Sequence, residues 1–315
     1  MYHFTGKAMK NNFFALIFIY FMINMCHTQN NDQSELPFTI PEDKIFPLRQ
    51  LVDENLQKEL EASLKKNKTW AKLIKKKKMA VGLVDLSDPY QIKFARVNGS
   101  EMMYAASLPK LAILLAAAQA LEDSTLEENQ QILDDMHEMI SQSDNRAATR
   151  LIDLLGFTKI ESTLTDPHYE LYDPEYGGGL WVGKRYAKKG KRYPDPLMGL
   201  SHGATVTQVC RFYYLLAMGK LVNRQRSEQM LTMLADPELH HKFVITLEHL
   251  APQAKLYRKS GTWRNWHCDS ILVWGPVWRR YILAALIEDK DGEIILRELV
   301  PTIEKVLKTQ SETKL

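Results

Sequence analysis

Tyr104-Ala105-Ala106-Ser107-Leu108-Pro109-Lys110-Leu111-Ala112-Ile113-Leu114-Leu115 is the stretch on which the reading of this chain turns. Two small alanines let the backbone turn tightly, and a strongly apolar helix is predicted over residues 108–121. Pro109 suits the first turn, where a missing N–H costs nothing. Ser107 then opens the helix, where free N–H groups and the helix dipole favour developing negative charge. Lys110 lies one turn on, within reach of the Ser107 hydroxyl. An amine on such an apolar helix loses hydration, which lowers its pKa toward that of a useful base. A helix-capping serine beside a surface lysine explains the same letters equally well. Ser63 and Ser311 also head a Ser-x-x-Lys pattern, one in a charged helix and one in the terminal tail. Context alone sets Ser107 apart.

Upstream, Leu48, Leu51, Val52, Leu56, Leu60 and Leu64 recur at helical spacing over residues 46–66. Residues 79–86 and 91–97 read as two strands joined by Ser87-Asp88-Pro89, a hairpin. Downstream, helices are predicted over 108–121, 129–140, 145–155 and 206–218, with Gly156 and Gly219 as stops. Strand character returns at 255–257, 271–274 and 281–287, and an amphipathic helix covers 293–307. A hairpin and a later three-strand meander join most simply into one five-stranded antiparallel sheet. The fold class is therefore α+β, with terminal helices on the sheet and an all-helical lobe inserted. The boundaries are an α/β lobe over 46–100 and 252–310 and a helical lobe over 101–251. Residues 166–200, with Gly177-Gly178-Gly179 and four prolines, form a long structured loop of a length that is usually either functional or disordered.

Two further motifs lie downstream of Ser107. Ser143-Asp144-Asn145 precedes a helix, where all three residue types are good caps. Lys259-Ser260-Gly261-Thr262 sits on a strand, where the glycine alone would suggest a bulge. Taken with Ser107-x-x-Lys110, they resemble the three signature motifs of class A β-lactamases and penicillin-binding proteins, in the same order. The spacings are 36 residues from Ser107 to Ser143 and 116 from Ser143 to Lys259, and the likeness covers residues 48–307.

The resemblance implies the serine β-lactamase fold and acyl transfer through Ser107, with Lys110 as base or proton relay. It implies an oxyanion hole from the N–H groups of Ser107 and Thr262, worth a few kcal/mol in such sites. Ser143 would pass a proton to the departing nitrogen, and Asn145 would bind the substrate amide and steady Lys110. Lys259 would meet the substrate carboxylate, with Ser260 or Thr262 adding a hydroxyl. The implied activity is β-lactam hydrolysis. Its rivals are a peptidoglycan D-alanyl-D-alanine carboxypeptidase or transpeptidase, and a sensor or sink that is acylated once and stays so. One departure stands out. The family's Glu-x-x-Leu-Asn, whose Glu activates the deacylating water, has no counterpart here. Glu170 and Glu175 are the loop's candidates, and Glu175, just before the glycine run, is the preferred one.

Composition narrows the rest. A net charge of +3 is too balanced for a nucleic-acid-binding protein. The lysine cluster at 75–78 and the basic stretch at 184–192 read as a helix end and a polar loop, or as a surface suited to an anionic cell wall or membrane. Lys7 and Lys10 precede an apolar run at 13–23, shorter than the about 20 residues of a membrane span. Residues 1–27 therefore read as a signal peptide or lipoprotein signal, followed by a linker at 28–45 and export to the periplasm. Cys26 invites lipidation and membrane attachment, although Met25 stands where such sites take a small residue. Cys210 and Cys268 read as buried free thiols. His137-Glu138 lacks the second histidine of a zinc protease, and His240, His241 and His249 have no matching ligands. No metal or cofactor is expected, and the protein is expected to be a monomer.

Overall fold

The computed structural model describes Met1, His3, residues 35–235 and residues 237–312. The apolar run at 13–23, Cys26 and residues 28–34 of the expected linker lie outside the described residues. Helix α1 (Glu54–Lys66) starts where the Asp53 carboxylate accepts the Leu56 N–H, and it buries Leu56, Leu60 and Leu64. The helix expected from residue 46 begins later, because Pro47 opens a separate 3-10 turn at Leu48–Leu51. The lysine cluster closes helix α2 (Lys68–Lys75), whose N-terminus Asn67 caps.

Strands β1 (Met79–Asp85) and β2 (Lys93–Val97) form the expected hairpin, with Val84 opposite Phe94. After the short β3 (Met103–Tyr104) come helices α3 (Lys110–Glu122), α4 (Gln130–Ser141) and α5 (Asn145–Leu164). Every residue of α3 except Gln119 and Glu122 is buried. A helix apolar on all sides belongs at the centre of a core. Gly156 (φ 75°) breaks α5 as expected, but a further stretch of helix resumes and runs on to Leu164.

The loop that follows carries β4 (Tyr172–Asp173), β5 (Gly178–Gly179), β6 (Trp181–Val182) and β7 (His202–Ala204). Helices α6 (Val206–Ala217), α7 (Arg224–Leu234) and α8 (Phe243–Leu250) lead to β8 (Lys255–Trp263) and β9 (Trp266–Trp274), then β10 (Arg280–Glu288) and α9 (Gly292–Glu312). The five long strands make one antiparallel sheet in the order β2-β1-β10-β9-β8, so β8 is an edge strand.

Alternation along the strands divides the core in two. Val84, Phe94, Leu272, Ile282 and Leu286 face α3 and its neighbours. Val81, Leu83, Ile271, Val273 and Leu283 pack under α1, α8 and α9. Gly82 lets α6 lie close to the sheet, since a Cβ there would come within 2.7 Å of Cys210 Sγ. Cys210 and Cys268 are both free and buried, and burial pushes the Cys268 thiol up to about 12.

Candidate active site

Ser107 lies in a turn just before α3, not in the helix itself. The Lys110 N–H donates to Ser107 O at 3.2 Å, and helical geometry begins at Lys110. Ala106 takes a left-handed conformation (φ 50°), uncommon for a residue with a Cβ and a mark of a backbone held by its surroundings. The approach to that turn is fixed by the loop. β7 pairs with β3 on one side and β6 on the other, and the Ala105 N–H donates to His202 O.

Lys110 is fully buried on α3. Its amine donates to Ser143 O at 2.6 Å and to Asn145 Oδ1 at 2.8 Å, with Ser143 Oγ at 3.4 Å. Burial brings its pKa down to about 7, and the nearby Asp144 only partly offsets this. A neutral amine has two N–H donors and one lone pair. Both strong bonds use donors, so the lone pair is left for a proton. Among the described residues nothing hydrogen-bonds the Ser107 hydroxyl, so the direct lysine–serine bond expected from the spacing is not formed here.

Ser143 sits between α4 and α5 in a left-handed conformation (φ 59°), which lets its carbonyl and hydroxyl both reach the lysines. Lys259, from β8, donates to Ser143 Oγ at 2.8 Å and to Ser260 O at 3.0 Å. Burial, and then the Lys110 charge, hold its pKa well below the usual amine value. Ser107, Lys110, Ser143, Asn145 and Lys259 therefore converge from three separate segments. Gly261 makes this closure possible. A Cβ on it would stand 2.2 Å from Ala105 O and 2.8 Å from the Ser107 nitrogen.

Ser260 and Thr262 occupy the expected strand but alternate to its other face, since Thr262 pairs with His267 and Ser260 with Asp269. The Thr262 hydroxyl accepts a hydrogen bond from Lys242 at 2.8 Å. Lys242 escaped the sequence reading. It is fully buried, also donates to Gly261 O and Cys268 O, and is brought down to about 8 by burial. Nearby, Arg258 and Asp269 form a buried two-bond ion pair at 2.7 and 3.0 Å. The Asp269 carboxylate partly offsets the desolvation of Lys242 and Lys259, as Asp144 does for Lys110.

Glu175 does not join this group. It is exposed on a 3-10 turn whose neighbours are Ser100, against Gly177, and Arg49, which lies over the Tyr176 ring at 3.4 Å. Glu170 pairs with Arg211 at 3.3 Å instead. The loop brings Tyr186 to the site. Its ring faces the Lys110 amine at 4.6 Å and the His202 ring at 4.4 Å, and its hydroxyl donates to Ala106 O at 3.1 Å. No sequence signal marked Tyr186, which sits inside a run of lysines and arginines.

Solved structures of similar shape are available at low sequence identity. A class A beta-lactamase from Bacteroides cellulosilyticus matches 82% of this chain and 100% of its own at 14% identity, with a TM-score of 0.60. A PBP-A mutant, described as an acyl-enzyme complex with penicillin G, matches 86% and 100% at 17% identity, also with a TM-score of 0.60. A beta-lactamase from Sphaerobacter thermophilus matches 81% and 96% at 15% identity, with a TM-score of 0.56. The described α+β architecture is the class A β-lactamase fold. No curated protein sequence matches this chain. The profile of the beta-lactamase enzyme family matches residues 131–307, which include Ser143, Asn145 and Lys259 while Ser107 and Lys110 precede them. That match spans more than half the chain, and the chain belongs to the beta-lactamase enzyme family.

Proposed function

We propose that this protein is an acyl-transferring serine hydrolase that opens β-lactams through an ester on Ser107. The observation that carries the reading is the convergence of Lys110, Ser143 and Lys259 beside the Ser107 turn. Neutral Lys110 takes the Ser107 proton as Oγ attacks the amide carbonyl. The Ser107 and Thr262 N–H groups receive the oxyanion. Collapse breaks the C–N bond, and Ser143 carries the proton from Lys110 to the leaving nitrogen. Lys259 and its cationic neighbours draw the substrate carboxylate, whose arrival would raise the amine pKa values they have lost. Asn145, whose oxygen is engaged by Lys110, offers its amide N–H groups to the substrate side chain. Water then cleaves the ester. The apolar run at 13–23 supports a site of action outside the cytoplasm.

A second reading, a peptidoglycan D-alanyl-D-alanine carboxypeptidase or transpeptidase, is favoured by the exposure of Glu175, which leaves deacylation without the expected carboxylate. A chromogenic cephalosporin separates the two. Many turnovers per protein with a transient adduct by intact mass support hydrolysis. A single stoichiometric burst with a lasting adduct supports the second reading, and no adduct at all rejects both.

A further inference from the structure

We infer that Tyr186 is a positioning residue for the oxyanion hole, acting through the peptide that joins Ala106 to Ser107. The inference rests on the acyl-enzyme reading of Ser107 given above. A peptide group is rigid and planar, so Ala106 C=O and Ser107 N–H move as one body. The Tyr186 hydroxyl donates to that carbonyl at 3.1 Å. The other end of the same peptide, the Ser107 N–H, makes no hydrogen bond among the described residues. A donor left free beside a nucleophile is what an oxyanion needs.

Two features make the hold necessary. Ala106 is left-handed, a conformation that persists only where neighbours impose it. From the other side, β8 passes so close at Gly261 that a Cβ there would stand 2.2 Å from the Ala105 carbonyl oxygen and 2.8 Å from the Ser107 nitrogen. Among the described residues the Tyr186 hydroxyl supplies the one hydrogen bond to either end of this peptide. The bond also acts electronically. A hydrogen bond accepted by a peptide carbonyl polarises the group and makes its N–H a stronger donor.

Tyr186 can do this because its ring is itself held. It packs on the His202 ring at 4.4 Å, and the Tyr104 and His202 rings meet edge to face at 6.2 Å. The His202 imidazole is tied to Lys184 O at 3.0 Å, and burial brings its pKa down to about 4, so it stays neutral at working pH. Burial likewise holds the Tyr186 hydroxyl well above its ordinary value, as a donor at every working pH. The face of the same ring lies 4.6 Å from the Lys110 amine. One side chain therefore touches both the base and the peptide that carries the oxyanion donor.

Tyr186→Phe tests the idea, because it removes the hydroxyl and keeps the ring beside Lys110. Single-turnover acylation by benzylpenicillin, followed by intact mass, gives the maximal acylation rate and the half-saturating concentration. Infrared difference spectra give the stretching frequency of the acyl carbonyl in the oxyanion hole. The expected result is a maximal rate about tenfold lower, the worth of one neutral hydrogen bond. The half-saturating concentration should stay within about twofold, since substrate binding precedes the charge that the donor meets. The carbonyl stretch should move to higher frequency, as a less polarised carbonyl requires, and the pH midpoint of acylation should not move. A loss of stability would not blur the outcome, because the carbonyl band reports only acylated, folded protein. Wild-type rate with an unshifted band overturns the inference while leaving the acyl-enzyme reading intact. Absence of any adduct in the wild-type protein overturns both.

Discussion

At the residue scale the decisive fact is the state of Lys110. Desolvation brings it to about 7, so near neutral pH a large fraction of the protein carries a free amine. The base form exists above that pKa and disappears below it. Acylation of the wild-type protein should therefore rise as pH climbs through about 7 and level off above it, as a rate profile with a fixed β-lactam will show. Lys110→Ala should slow acylation by about 10²–10⁴-fold, the usual effect of losing a general base. A loss under tenfold would place the base elsewhere. The three Ser-x-x-Lys patterns make a second residue-level contrast. Ser107→Ala should abolish labelling by a fluorescent penicillin, whereas Ser63→Ala, on the charged helix α1, should label fully. Labelling that survives in folded Ser107→Ala protein would end the nucleophile assignment. The residues that escaped the sequence reading are informative for the same reason. Lys242 and Tyr186 act through partners 19 to 80 positions away. No local pattern announces such a contact, and buried lysines look like surface lysines in a string of letters.

At the element scale the site depends on how closely an edge strand can approach a turn. Strand β8 brings Lys259 to Ser143, and only a glycine at 261 lets its backbone pass the Ser107 turn. Backbone atoms cannot step aside as flexible side chains do. Gly261→Ala should therefore lower the acylation rate by about 100-fold or more, the order seen when an oxyanion donor is displaced, with a stability loss of about 1–3 kcal/mol from overpacking. Gly275→Ala is the control, since its Cβ would meet nothing closer than 3.4 Å. Wild-type acylation by the Gly261 variant would show that the close approach is not needed. Elements with clean periodicity were legible from sequence. The β1–β2 hairpin and apolar α3 are examples, as is the break at Gly156. Strand β8 is legible at residues 255–257 by its pattern and at 259–262 by its motif, but its burial is not, because Arg258-Lys259-Ser260 looks like surface yet is buried. Helices α7 and α8 were missed. Polar residues dilute the apolar spacing of α7, and α8 starts at left-handed Lys242 without a capping side chain.

At the scale of the whole molecule, two apolar cores lie on either side of one sheet, and a cluster of buried charge is set into its edge. Sequence patterning announced the cores, since hydrophobic burial follows period and composition. It could not announce the charge cluster, which exists only once β8, β9 and the segment before α8 meet. Asp269 is central to that cluster. It accepts two bonds from Arg258 and one from the Phe243 N–H, and it offsets the desolvation of Lys242 and Lys259. Removing one member of a buried pair leaves the other as an uncompensated charge, which costs about 3–5 kcal/mol. Asp269→Ala should lose that much in urea denaturation, and its melting temperature should fall by roughly 10 °C for a domain of this size. The replacement of both partners by apolar residues, Arg258→Met with Asp269→Leu, should recover part of the loss, because the guanidinium is then no longer stranded while Lys242 and Lys259 still lack the carboxylate. If the single variant loses less than 1 kcal/mol, the cluster is better solvated than its burial indicates. Lys242 and Lys259 would then titrate closer to the ordinary amine value than their burial implies.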